Sequence, residues 1–376
     1  MKYLGKRLSV RNITIMNFRI VIQACLLICI LIIPQINPVH PQNKKICYGC
    51  NKNITGNYIE AGGKTFHPDH FLCASCGKLI NGAYQSKNDK YYHPDCYLLK
   101  EGMICAYCSK ILDQEYTVSR GKKYHADCYE KFILPKCAIC GLPLKDIFRV
   151  DIYENKYHAY HDEELKRCNS CGRLICESLT KGGKIYSDGR HICNLCYSTA
   201  ITNSGRYFDL LKKVMNKLKS FGIHLNEKTI GISGVDRNAL KSKSQNYSDN
   251  THGYCDSQTA TETMNKKVIK KSISHHIYVL SGMPLVLTES TIAHELMHAW
   301  LNENTADNHP EKIREGSCNY VSYIYLINLN LAGVSDFITM LEKDSSPVYG
   351  KGFLEIREKF GGKQIMEFLN YLKKYK

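Results

Sequence analysis

Apolar and polar positions change rhythm three times along this chain. From Ile20 to Ile33 the residues are apolar apart from Gln23, and Pro34 closes the run. A single glutamine makes no polar face, so the stretch reads as a membrane-directed core and not as an amphipathic helix. Between Cys47 and Cys196 the pattern that dominates is a recurrence of cysteine and histidine. Ordinary globular patterning begins after Tyr197. Leu210, Leu211, Val214 and Leu218 share one helical face, predicting a helix capped by Ser204 and ended by Gly222. Thr229 to Val235 predicts a strand, and the polar stretch Lys241 to Asn250 a loop. His275 to Leu287 is β-rich but broken by Gly282 and Pro284, which predicts an edge strand leading into a helix over Ser290 to Leu301. Pro310 predicts the start of another helix, EKIREGSCNYVSYIYLINL.

Charge sharpens the reading of the first segment. Lys2, Lys6, Arg7, Arg11 and Arg19 precede the apolar run with no acid among them. A basic flank before a short apolar core is the form of an export signal, whereas a committed membrane span needs about 20 apolar residues. No clean small-x-small cleavage site follows. Residues 1–40 are therefore expected to be a signal peptide or N-terminal membrane anchor. Basic flanks stay cytoplasmic, so the rest is expected to be exported: secreted, periplasmic or membrane-anchored.

The middle region is an internal repeat of C-x-x-C followed, after sixteen to twenty-one residues, by a second pair of Cys or His also two apart. The quartets are Cys47, Cys50, His67, His70; Cys73, Cys76, His93, Cys96; Cys105, Cys108, His125, Cys128; Cys137, Cys140, His158, His161; and Cys168, Cys171, Cys193, Cys196. Two residues between thiolates let one tight turn aim both sulfurs at a metal, and the second pair closes the tetrahedron. Five complete quartets predict five structural zinc ions. The rival, a disulfide framework, leaves six histidines at ligand spacing without a role. Cys25, Cys29, Cys176, Cys255 and Cys318 lie outside the quartets.

Zinc also changes the meaning of the net charge. Of the formal +16, the segment before Pro41 contributes +5, and fourteen thiolates with five zinc ions bring the remaining +11 to +7. No Lys/Arg stripe interleaved with aromatics concentrates that excess, so no nucleic-acid partner is expected.

Catalytic chemistry enters at TIAHELMHAW. His294 and His298, four apart on one helical face, can hold a zinc ion, and Glu295 lies beside it as a general base for water. A third ligand is required. His309 is eleven residues past His298, and Asp307 lies in a predicted loop. Glu315 suits the role better, because it sits on the helix begun at Pro310 with Asn319 one turn later as an outer partner for an imidazole. Tyr320, Tyr323, His224 and His252 are all candidates for a transition-state donor, and the run from Tyr278 to Leu285 for pairing with an extended substrate.

Two resemblances follow. In FHPDHFLC and YYHPDCY, His70 and Cys73 are separated by Phe71-Leu72 alone, which resembles the hinge of a LIM domain over 41–97; the wider gaps after Cys128 and His161 make 98–197 LIM-like. LIM modules imply a protein partner. Together with YVLSGMPLVLTESTIAHELMHAW and EGSCNY, the chain resembles the LIM-peptidase family of plant organ-size regulators, the DA-one family, and its bacterial relatives. That resemblance implies an α+β chain: small zinc-bound β modules, then a gluzincin-like, mainly helical metallopeptidase domain with a small sheet over 198–376. It implies His294 and His298 as ligands of one catalytic zinc, Glu295 as the catalytic residue, and a protein or peptide substrate. The ubiquitin-binding helices of the plant proteins are not evident upstream. The alternative from another class is a catalytically silent, zinc-dependent interaction adaptor.

Overall fold

The computed structural model describes residues 11–13, 35–37, 44–112, 115–244, 247–264, 267–306 and 308–375. The apolar run Ile20 to Ile33, Cys25, Cys29 and Asp307 lie outside the described residues. Among those described, no helix is long and apolar enough to cross a membrane. The described residues divide into two compact units, one ending at Pro135 and one over 136–375 that also takes in Arg11–Ile13. The first three quartets belong to one unit, and the last two belong with the C-terminal region.

Every quartet is built the same way. A knuckle carries C-x-x-C, a β-hairpin follows, and a short helical turn carries the last ligand. Hairpin and turn are Tyr58–Ala61, Lys64–Phe66 and Pro68–His70 in the first quartet, and Gln85–Lys87, Lys90–Tyr92 and Pro94–Lys100 in the second. Each knuckle is closed by pairing the residue before the first cysteine with the residue six beyond it: Ile46 with Asn53, Leu72 with Leu79, Ile104 with Ile111, Lys136 with Pro143 and Arg167 with Leu174. Such a tight return needs positive φ just after the second cysteine. Asn51 (57°), Gly77 (71°), Ser109 (59°), Gly141 (74°) and Gly172 (73°) all adopt it.

In the first pair of modules the hinge residue Phe71 is fully buried against Phe66, Tyr84 and Tyr91, with ring centroids 5.1–5.3 Å apart. Leu72 is exposed, so Phe71 alone does the packing expected of the hinge.

The C-terminal region is a mixed helix and sheet structure. Helix α1 (Arg206–Ser220) precedes strand β1 (Ile230–Val235) and a short helix α2 (Arg237–Lys243). A long hairpin of β2 (Gly253–Met264) and β3 (Lys267–Leu280) leads into α3 (Leu285–Asn304). Four helices complete it: α4 (Glu311–Ile327), α5 (Val334–Glu342), α6 (Tyr349–Phe360) and α7 (Ile365–Lys373). Helix α1 starts after Gly205 with no capping contact from Ser204, and Gly222 at φ 90° ends it as expected. Within the predicted loop, residues up to Lys243 are helical, because the Asp236 carboxylate accepts the Ala239 amide at 2.8 Å and nucleates α2.

The predicted edge strand is a correction. β3 is the centre of the sheet, parallel to β1 from Ile230↔His275 to Val235↔Leu280 and antiparallel to β2 from Gly253↔Val279. Tyr278 to Leu280 are therefore already paired on both sides and cannot receive a substrate strand, while Leu285 already belongs to α3. The edge belongs to β2. Its sequence, GYCDSQTATETM, has little hydrophobic alternation, so the strand that makes β3 central does not announce itself.

Candidate metal centres

Helix α3 is buried all round from Val286 to Met297, and accessible residues, among them His298 and Glu303, lie towards its C-terminal end. Polar contacts fix α4 against it in antiparallel register. Ser322 Oγ donates to the Ser290 carbonyl at 2.9 Å, and Tyr325 donates to Glu289 Oε2 at 2.8 Å. Lys213 of α1 neutralises the other oxygen of that fully buried carboxylate at 2.5 Å. Continuing up α4 by helical turns, Asn319 and then Glu315 arrive opposite His294 and His298.

Three ligand atoms converge there. His294 Nε2 and His298 Nε2 are 3.2 Å apart, and Glu315 Oε2 lies 3.3 Å from the first and 3.5 Å from the second. Donors on a tetrahedral zinc ion stand about 3.3–3.4 Å apart, which this triangle matches. The two imidazole nitrogens are better read as lone pairs aimed at one point than as a hydrogen bond. His294 Nδ1 donates to Asn319 Oδ1 at 3.0 Å, which reserves Nε2 as a ligand atom. Asn319 Nδ2 in turn donates to the Tyr349 carbonyl at 3.4 Å, fixing which way the amide points.

Burial raises the pKa of Glu315, but the His298 and His294 imidazoles outweigh it and hold the carboxyl well below its usual range. His298 is pushed well above the ordinary imidazole value, because Cys318 and Glu315 beside it overcome burial. Asn302 is also anchored: its amide donates to Ser257 Oγ at 2.8 Å and its oxygen accepts from Arg314, tying the end of α3 to β2 and to the residue before Glu315.

Glu295 is buried next to the ligands and rests on the start of β2. A Cβ added to Gly253 would lie 2.8 Å from Glu295 Oε1 and 2.6 Å from Thr291 Cγ2. Only glycine permits this approach, and sequence reading missed it because β2 itself was missed. His309 faces away, its Nε2 3.0 Å from the Leu372 carbonyl. The four donor candidates are not gathered either. Tyr320 packs on Phe368 and Tyr323 on Phe353, His224 is exposed, and His252 Nε2 points to the Asn169 carbonyl at 3.4 Å.

In each of the five Cys/His quartets the ligand atoms all lie within 4.8 Å of one another, so these clusters can bind zinc. Cys171 and Cys193 sulfurs are 3.8 Å apart, and Cys50 to His67 and Cys47 to His70 are 3.5 Å, close to the tetrahedral edges of about 3.6–3.8 Å expected for zinc–sulfur sites. The outer imidazole nitrogens of His93 and His125 reach the carbonyls of Leu79 and Ile111 at 3.0 and 2.9 Å, which sets Nδ1 as the ligand.

A family profile for LIM domains matches residues 47–101, and one described as DA1-like, Protein DA1, matches residues 210–339. The chain thus carries a LIM domain over 47–101 and a DA1-like region over 210–339. It is 28% identical to Protein DA1-related 2 of Arabidopsis thaliana over 87% of this chain and 61% of that protein. LIM domain-containing protein HDR3 of Oryza sativa subsp. japonica is 28% identical over 51% of this chain and 44% of its own length. Protein DA1 of Arabidopsis thaliana is 24% identical over 62% of this chain and 56% of its length. The alignments thus span about half of these relatives' lengths. The DA1-like match runs from within α1 to within α5 and so contains the His294, His298 and Glu315 triangle.

Proposed function

We propose that this DA1-like protein is a zinc-dependent peptidase acting on protein or peptide substrates, with a gluzincin-like catalytic domain. The observation that carries the reading is the triangle of His294 Nε2, His298 Nε2 and Glu315 Oε2, sized for zinc and set beside a buried Glu295. These three side chains would hold a zinc ion, which would supply a Lewis acid for the scissile carbonyl and lower the pKa of water towards about 7. Asn319 holds His294 in the tautomer that binds metal. Glu295 takes the proton from the attacking water and delivers it to the leaving amine nitrogen, while Gly253 keeps its carboxylate in place. An extended substrate fits along the outer edge of β2, which begins at Gly253 and carries no further strand among the described residues.

The five quartets act as structural zinc sites, and the LIM and LIM-like modules present surfaces to a protein partner or to the substrate. The basic and apolar residues before Pro34 support an exported protein: secreted, periplasmic or membrane-anchored. The test is cleavage of a diverse peptide library by the full chain and by Glu295→Gln, with zinc counted in both. Loss of cleavage by about 10²–10⁴-fold at unchanged zinc content supports the mechanism. Equal cleavage by both proteins overturns it, and zinc-replete protein that cleaves nothing points to the adaptor instead.

A further inference from the structure

The fifth quartet differs from the other four. Cys168, Cys171, Cys193 and Cys196 are all buried, whereas every other quartet keeps at least one partly or fully exposed ligand. These four cysteines share one hydrophobic core with Val279, Met283, Val286, Leu296 and Cys318 of the catalytic region. The module also grips the turn that launches α3. Tyr186, on its hairpin loop, donates to the Gly282 carbonyl at 2.9 Å, and its ring fills the space a Cβ on Gly282 would occupy.

One line of contacts runs from this knuckle to the catalytic carboxylate. Asn169 lies between Cys168 and Cys171, and its side-chain oxygen accepts the His191 amide at 2.8 Å. The Asn169 carbonyl accepts from His252 Nε2 at 3.4 Å. His252 is buried, and its own carbonyl accepts the Leu280 amide of β3 at 2.8 Å. The next residue is Gly253, whose Cα is the wall against which Glu295 rests. A displacement of the knuckle would move the backbone at 252–253, and the carboxylate with it.

We propose that His252 is a positioning residue that transmits the geometry of the fifth zinc knuckle to Glu295, making this module part of the catalytic apparatus. Its catalytic consequence rests on the peptidase reading; the physical link does not. A module that served partner binding alone would have no need of an imidazole clasped to the strand behind the general base.

The experiment compares the full chain with His252→Phe and His252→Gln, after zinc counting, by amide hydrogen exchange and by steady-state kinetics. Phe fills the space without a donor, whereas Gln keeps an N–H. In the Phe variant, exchange is expected to rise about tenfold in peptides covering 252–260 and 290–298 but not in α1, and kcat to fall at nearly constant KM; Gln recovers most of both. Unchanged exchange at 252–260 overturns the proposal, as does an equal rise in α1, which marks a loss of general stability. Should His252→Phe fail to fold, Asn169→Ala keeps the carbonyl but removes the side-chain half of its His191 anchor, leaving the bond from the residue 169 amide to the His191 carbonyl. It is expected to raise exchange at 252–260, and no change there is equally decisive against the link. Parent protein that binds zinc without cleaving defeats the peptidase reading, while the exchange comparison still decides the link.

Discussion

Single side chains at the triangle of His294, His298 and Glu315 divide into those that face the proposed metal position and those that hold such groups still. Asn319 belongs to the second kind, since its contact is with His294 Nδ1 at 3.0 Å. Asn319→Ala is expected to weaken the catalytic zinc by about 10–100-fold, measured by competition with a chelator, while the Cys-rich sites keep theirs. Gly253→Ala should do the opposite: zinc stays, but a methyl 2.8 Å from Glu295 Oε1 forces the carboxylate to move, so kcat falls at near-constant zinc content. The approach of His294 to His298 was legible in the sequence because it depends on helical spacing alone. Glu315 and Asn319 were legible for the same reason once Pro310 marked a helix. Gly253 was not, since its importance is steric and comes from a distant strand.

At the level of elements, helices α4 and α6 cross at a pair of glycines. A Cβ on Gly316 would lie 2.4 Å from the Gly352 carbonyl carbon, and one on Gly352 would lie 2.3 Å from the Lys312 carbonyl oxygen. Gly316 immediately follows Glu315, so the crossing sets the height of the third ligand. Gly316→Ala is expected to destabilise the protein by about 1–3 kcal/mol in denaturant titration and to weaken the catalytic zinc as well. The knuckles supply a change of opposite sign. Ser109 holds φ 59° where glycine serves in three of the other four modules, and Ser109→Gly should stabilise the third module by up to about 1 kcal/mol. Thermal unfolding of the full chain followed at that module tests this, and a loss of stability would contradict it. Periodicity made α1 readable, and Pro310 marked α4. It could not place β2, whose polar sequence lies on an edge, and so assigned the edge to β3.

On the scale of the whole molecule, zinc spacing revealed five modules but not their allegiance. The fourth and fifth pack with the C-terminal region, and no composition shift near residue 136 signals this, because the contacts that join them are long-range. Arg173 of the fifth knuckle meets Asp336 of α5 at 2.9 Å, and Lys343 donates to the Ile152 carbonyl at 2.9 Å. Burial also orders the expected losses of metal. The triangle offers three protein ligands, with His298 and Glu315 partly accessible, whereas the fifth quartet offers four buried thiolates. A chelator should therefore remove the catalytic zinc first and the fifth-quartet zinc last.

That order allows the most direct test of the account. The full chain is treated with graded chelator, zinc released is counted, peptide cleavage is followed on the same samples, and zinc is then restored. The account predicts that cleavage disappears with the first equivalent of zinc lost, while far-ultraviolet circular dichroism is unchanged, and returns when that equivalent is restored. Cleavage that survives loss of this zinc, or that disappears only as the Cys-rich modules unfold, would contradict the assignment of His294, His298 and Glu315 as the catalytic centre.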